Sequence, residues 1–405
     1  MAAFLFRVRP AVVISTPAPE LLPSSTTNPG YISTKNPRSA GIDFLRGLAI
    51  LAVVALHLRI HIPTKSHFIE RWPEHLRLIV FGSGYYGVMV FLVISGYLIT
   101  SISLRRWGSL QSVRPVAFYQ LRFARIAPPL LLLIAILIPP HLAGIPGFVI
   151  PSDKASLWTV VLAAITFRIN TLEAAGYFLP ACWGVLWSLS IEETFYLGFP
   201  IAARFLRKDA AFIVLLGTFI VLGPMARTLW PDFDDHTYLE CMDGIAFGCL
   251  AAITGSRWKP SKRIGWLIFA VGTAAVLFIE VFRGSVQHFG LTRNGLYVTI
   301  LEFGTACLLL VFPQIPSTAI ARSSSQPIRF AGRYSYEIYL SHGFITIGFA
   351  TVFERYHLSS NWTAPSYLIG TILCIALGYG VSVFFSEPTN RALRRYFKAS
   401  PSATP

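Results

Sequence analysis

Arg46 and His57 stand in GIDFLRGLAILAVVALHLRI (41–60), separated by ten residues that are all apolar or Gly. On a helix, a step of eleven is three turns plus about 20°, so both side chains share one face, roughly 16 Å apart along the axis. If the run spans a membrane, a titratable imidazole lies near mid-bilayer, where ionisable groups are costly and mark a pathway or a site. A neutral imidazole suits a general base or an acyl-accepting nucleophile; the bland alternative is a His bonded to a neighbouring helix. Asp43, one turn before Arg46, reads equally well as half of an interfacial ion pair that sets topology.

Four further constellations accompany this pair. In CWGVLWSLSIEETFYLGFP (182–200), Glu192 and Glu193 point about 100° apart on a helix, so one can face the interior while the other takes a different partner. At 1.5 Å per residue, His57 lies roughly 16 Å from the cytoplasmic end of its span and Glu193 roughly 10–12 Å from the outer end of its own, depths that nearly coincide in a ~30 Å core. A His57–Glu hydrogen bond that fixes the imidazole tautomer is therefore expected. Arg122 and Arg125, three apart before Pro128 and Pro129, put two guanidinium forks at a cytoplasmic entrance, where they suit phosphates or serve as plain anchors. In GRYSYEIYLSHGF (332–344), Ser335, Tyr339 and His342 share a face, with His342 near mid-depth and Tyr336 and Glu337 directed elsewhere. Ser95-Gly96, inside FLVISGYLIT (91–100), permits close backbone approach, and packing is the plainer reading.

The elements that must position these groups are membrane helices. The chain has 405 residues, 54% hydrophobic and 13% charged, against about 25% charged in soluble domains, and its mean hydropathy is +0.58. The expected fold is an all-α polytopic membrane protein with about ten transmembrane helices, at 44–61, 79–101, 126–149, 186–206, 210–229, 238–255, 265–282, 294–313, 335–353 and 365–386. A net charge of +15 invites a nucleic-acid reading, but its distribution argues for no nucleic acid. On this topology 24 of the 34 Lys and Arg fall on the side of the termini, so both termini are placed in the cytoplasm. The segment LWTVVLAAITF (157–167) is too short to span; an interfacial or re-entrant helix fits 157–181 best.

Residues 1–40 read as a flexible cytoplasmic tail rather than a signal peptide, and 391–405 as a short basic cytoplasmic tail. No soluble domain of useful size follows the last span, and no inverted repeat is evident. The five Cys (182, 241, 249, 307, 374) lack metal-ligand spacing and read as small hydrophobes; no metal site is expected.

Taken in order, R-x10-H (Arg46, His57), FLVISGYLIT (91–100), R-x-x-R (Arg122, Arg125), WSLSIEETFYL (187–197), SYEIYLSH (335–342) and FFSEPTNRALR (384–394) resemble the acyltransferase-3 family of integral membrane O-acyltransferases. The resemblance covers 41–394 and assigns 41–390 to the family's transmembrane domain. Two departures stand out: Ser341 and Gly343-Phe344 flank His342 where relatives often carry Trp and Pro, and Thr194 replaces a common Gln. The resemblance implies transfer of an acetyl or other short acyl group from acyl-CoA, acetyl-CoA foremost, to a hydroxyl of an envelope glycan, lipopolysaccharide, peptidoglycan or glycolipid. Acyl-CoA is a donor substrate, not a permanently bound cofactor.

Arg46, Arg122 and Arg125, helped by Arg105 and Arg106, are then the donor-binding candidates. His57 is the base or acyl carrier, Glu192 or Glu193 its orienting partner, and Asp43, Ser95, Tyr339 and His342 are supporting residues. Many relatives carry an extra extracytoplasmic domain, so this chain is expected to work either alone or with a separate envelope partner protein. The expected location is the bacterial inner (cell) membrane. The rival function is a transporter or flippase for a glycolipid or polysaccharide, with the polar midline as its path.

Overall fold

The computed structural model describes residues 39–62, 67–176, 179–229, 237–315 and 323–399, and among them the regular elements are helices without a strand. The long ones are α1 (Ala40–His61), α2 (Gly84–Trp107), α3 (Pro115–Leu142), α5 (Leu186–Phe205), α6 (Asp209–Leu229), α7 (Tyr238–Arg257), α8 (Lys262–Val281), α9 (Leu296–Val311), α11 (Ser335–Tyr356) and α12 (Thr363–Val381). Shorter ones are α4 (Leu157–Ile165), α10 (Gln326–Arg333) and α13 (Glu387–Ala399). The expected tail 1–40 lies outside the described residues except for 39 and 40.

Among the described residues, eight helical stretches are long and apolar enough to cross a membrane: α1, α2, α3, α6, α7, α8, α9 with its terminal turn, and Ser360–Lys398. Helices α5 and α11, of 20 and 22 residues, match a span in length, about 30 and 33 Å. Their apolar character is diluted by Glu192 and Glu193 and by Glu337, Ser341 and His342. These are the helices that carry much of the candidate site. The nine residues of α4 extend about 14 Å, too short to cross.

Two boundaries differ from the hydropathy reading. Helix α3 begins at Pro115, not near 126, and runs through Pro128, Pro129, Pro139 and Pro140. Proline at the first helical position lacks only a donor that would be unused there, and interior prolines are tolerated in membrane helices where neighbours and local adjustments satisfy the freed carbonyls. Arg122 and Arg125 therefore sit within the helix rather than before it. At the other end, α12 continues through a π-helical segment, Ser382–Ser386, into α13. Residues 391–399, expected as tail, are helical and lie along α3.

Small residues set how closely the helices approach. A Cβ on Gly96 would fall 2.0 Å from the Ile245 carbonyl oxygen, and one on Gly248 1.9 Å from that of Val93, so α2 and α7 pack backbone to backbone. Gly332 of α10 abuts the Asp43 carbonyl, where a Cβ would stand 1.8 Å away. That contact fixes α10, and hence the start of α11, beside Arg46. Close approach through Gly is a common solution where lipid gives helices no hydrophobic drive to associate.

A buried ion pair ties α6, α7 and α9 together. Arg227 Nη2 donates to Asp243 Oδ2 at 2.5 Å and to Thr299 Oγ1 at 2.8 Å, while its Nε donates to the Gly295 carbonyl at 3.2 Å. Arg227 is 5% exposed and Asp243 fully buried, so Asp243 depends on Arg227 for its charge balance. We predict that Asp243→Ala lowers stability by about 3–5 kcal/mol, the cost of stranding one member of a buried pair. The measurement is an unfolding titration in detergent; a loss below about 1 kcal/mol, as for exposed pairs, would show that water reaches Arg227.

Candidate active site

Helices α1, α2, α3, α5 and α11 enclose a cavity of about 120 Å³, against the roughly 10–15 Å³ that one water requires. Its polar lining comprises Arg46, Ser95, Arg122, Arg125, Ser188, Glu192, Glu193, Tyr196, Ser335, Tyr336 and Tyr339. Helical spacing explains the share from α5: Ser188, Glu192 and Tyr196 fall at i, i+4 and i+8, one stripe of one face.

The stripe is held by hydrogen bonds. The Glu192 carboxylate accepts from the Tyr196 hydroxyl on its own helix and from the Ser95 hydroxyl on α2, and the two hydroxyl oxygens stand side by side against it. The Arg122 guanidinium lies 3.8 Å above the Tyr196 ring, a cation–π placement that leaves its N–H fork free to meet an anion. Arg125 stands 6.0 Å from the Tyr336 ring. Arg46 donates through Nε to Ser335 Oγ at 3.1 Å and interacts electrostatically with Asp43, Glu192 and Arg125. The Ser188 and Tyr339 hydroxyls are 2.7 Å apart.

Beyond Tyr339 lie two imidazoles. The His57 and His342 rings meet edge to face, with centroids 4.7 Å apart, and the Tyr339 ring lies 5.7 Å from that of His342. His57 Nδ1 is 2.9 Å from the Val53 carbonyl and His342 Nδ1 is 2.6 Å from the Tyr339 carbonyl. A carbonyl only accepts, so in each neutral ring Nδ1 carries the hydrogen and Nε2 keeps its lone pair. His342 is fully buried and its Nε2 has no hydrogen-bond partner among the described residues; His57 is half-buried. The Gly after His342 makes room for Cys182, whose Sγ a Cβ on Gly343 would approach to 2.7 Å.

The expected His57–Glu hydrogen bond is absent from this arrangement. Glu192 is bonded to Ser95 and Tyr196, His57 Nδ1 to its own helix, and Glu193 is buried with Oε1 unpartnered among the described residues. Equal depth fixes height in the bilayer but not direction around each helix axis, and the carboxylates turn toward the arginines. Tyr336, expected to face away, lines the cavity beneath Arg125. Ser188 and Tyr196 were not singled out from the sequence, although the eight-residue stripe through Glu192 was the signal for them. Gly96 serves packing while Ser95 serves the cavity. All five cysteines are free, and among the described residues no cluster of His, Cys, Asp and Glu could hold a metal.

Comparison with known proteins places this cavity in context. The chain is similar to O-acetyltransferase OatA of Staphylococcus aureus, 27% identical over 385 residues that cover 89% of this chain and 58% of the relative. It is also similar to peptidoglycan O-acetyltransferase OatA of Listeria monocytogenes, 29% identical over 328 residues, 74% of this chain and 48% of the relative. The chain thus spans about half to three-fifths of the length of these curated relatives. No solved structure matches it significantly. The acyltransferase domain family matches residues 39–382, which hold every residue lining the cavity and both imidazoles, and the chain belongs to this acyltransferase-3 family.

Proposed function

We propose that this protein is a membrane O-acetyltransferase that moves an acetyl group from acetyl-CoA, or another short acyl group from its thioester, to a hydroxyl of a cell-envelope glycan. The observation that carries this reading is one cavity with guanidinium groups on α1 and α3 and an imidazole pair, His57 and fully buried His342, behind Tyr339. Family membership supports acyl transfer, and the peptidoglycan named for the Listeria relative supports a glycan acceptor.

In this reading the arginines bind the donor's phosphates at the cytoplasmic face and the thioester arm enters between α3, α5 and α11. The acceptor hydroxyl attacks the thioester carbonyl while His57 Nε2 takes its proton. The new ester C–O bond forms, the C–S bond breaks, and His57 returns the proton to the departing thiolate. His342 packs edge to face against His57 and fixes the orientation of its ring. Glu192 acts on the arginine side, holding Tyr196 beneath Arg122. Ten spans, with α5 and α11 joining the eight apolar stretches, and cytoplasmic termini complete the topology; the excess of Lys and Arg on the termini side supports it. The location that follows is a bacterial inner membrane.

Three outcomes are expected. His57→Ala should lower kcat by about 10²–10⁴-fold, the usual worth of a general base, with the variant still monodisperse in detergent; substantial residual turnover would remove His57 from the chemistry. Arg122→Ala with Arg125→Ala should raise the KM for acetyl-CoA about tenfold or more, since charge-assisted hydrogen bonds contribute about 1.5–3 kcal/mol each. An unchanged KM would make both arginines topological anchors. Reporter fusions after residues 64, 116, 234 and 260 should read outside, inside, outside, inside, and any other order would overturn the assignment of the arginines to the donor side.

A further inference from the structure

Resting on the reading of Arg122 and Arg125 as donor-phosphate residues, we propose that Arg394 on α13 completes that site, so that the nucleotide end of the donor is clasped between α3 and the helix that follows the last apolar span. Helix α13 carries four cations, Arg391, Arg394, Arg395 and Lys398, and the structure separates them. Arg391 is paired with Glu387 one turn earlier, Nη2 to Oε2 at 3.4 Å. Arg394 shares a face with Phe397, three residues on, and the Phe397 ring lies 6.5 Å from that of Phe123. Phe123 directly follows Arg122 in the chain, so this ring contact sets the Arg394 face of α13 against the Arg122–Arg125 turn of α3.

The charges around Arg394 are of one sign. The charged groups that act on it are Arg125, Arg106 and Arg122, and Arg125 in turn acts on Arg46 inside the cavity. Guanidinium groups therefore run from the exposed surface at Arg394 and Arg106, through half-buried Arg122 and Arg125, to Arg46 beside Ser335. Like charges so placed repel one another and focus a positive field on the cavity mouth. A ligand with several phosphate groups relieves that repulsion, and forked guanidinium groups are suited to holding it. The donor's nucleotide, with a pyrophosphate and a separate ribose phosphate, has that chemistry; so does a layer of anionic lipid headgroups. The site opens into the cavity through Arg122 and Arg125, which favours the nucleotide.

The test uses the full-length protein in detergent free of anionic lipid, with two donors: acetyl-CoA, and S-acetyl-pantetheine, which lacks the nucleotide. Arg394→Ala should raise the KM for acetyl-CoA about tenfold, the effect of losing roughly one charge-assisted contact. The same variant should leave kcat and the KM for S-acetyl-pantetheine unchanged. Arg394→Lys should recover part of the loss, and Arg395→Ala, on the same helix but another face, should behave as wild type. Binding of adenosine 3′,5′-bisphosphate, followed by calorimetry without turnover, should weaken in Arg394→Ala by a similar factor. An unchanged KM and Kd in Arg394→Ala, an equal rise with the truncated donor, or an equal effect of Arg395→Ala would overturn the proposal. Should Arg394→Ala lose only its binding to phosphatidylglycerol vesicles relative to phosphatidylcholine vesicles, the residue serves lipid and the proposal fails. If Arg122→Ala with Arg125→Ala also leaves nucleotide binding intact, the donor-phosphate reading itself has failed; if that pair matters and Arg394 does not, only the present inference has.

Discussion

A carboxylate among apolar helices must be given donors, because an ion without them is far costlier there than in water. Glu192 receives two, from Ser95 on α2 and Tyr196 on α5, and the cavity is arranged around that joint. Tyr196, held by its hydroxyl, offers its ring face to Arg122. Arg122 therefore stands where one carboxylate and two hydroxyls put it, rather than reaching freely to solvent. The close passage of α2 over α7, which the paired Gly96 and Gly248 contacts allow, brings Ser95 within reach of α5.

The two ends of the site differ in how they are built. At the arginine end, groups are cross-linked between helices: Arg46 to Ser335, Ser95 to Glu192, Ser188 to Tyr339. At the imidazole end, each ring is tied only to a carbonyl of its own helix, and the rings rest on one another. That difference suits the proposed chemistry. A phosphate site gains from rigid forks, whereas a base needs one nitrogen unengaged, which the Nδ1–carbonyl bonds provide by leaving Nε2 available. Tyr339 joins the ends, with its hydroxyl in the cavity wall and its ring beside His342.

Much of this was legible in the sequence, and the limits follow from geometry. Spacing along one helix gives direction around that helix, and hydropathy gives depth, so Arg46, His57, Arg122, Arg125, Ser95 and Glu192 could be named and placed on membrane helices. Direction between helices is encoded in neither. Residue counting gives His57 and Glu193 matching depths, yet His57 meets His342 while the carboxylates face the arginines. Arg227, near the end of its helix, is buried against Asp243, a pairing that local spacing does not show because a partner on another helix leaves no mark in it. Glu192 and Glu193, part of the polar content that hides α5 from a hydropathy criterion, line the cavity, and His342, part of that of α11, lies beside it.

The central claim is that donor and acceptor react inside one cavity. The direct measurement is transfer of labelled acetyl from acetyl-CoA to a soluble glycan by the purified protein in detergent micelles, where no second compartment exists. The proposed function predicts labelled ester on the glycan and stoichiometric free CoA. Absence of transfer in micelles, together with movement of a glycan or glycolipid across vesicles containing the protein, would contradict it and identify a transporter.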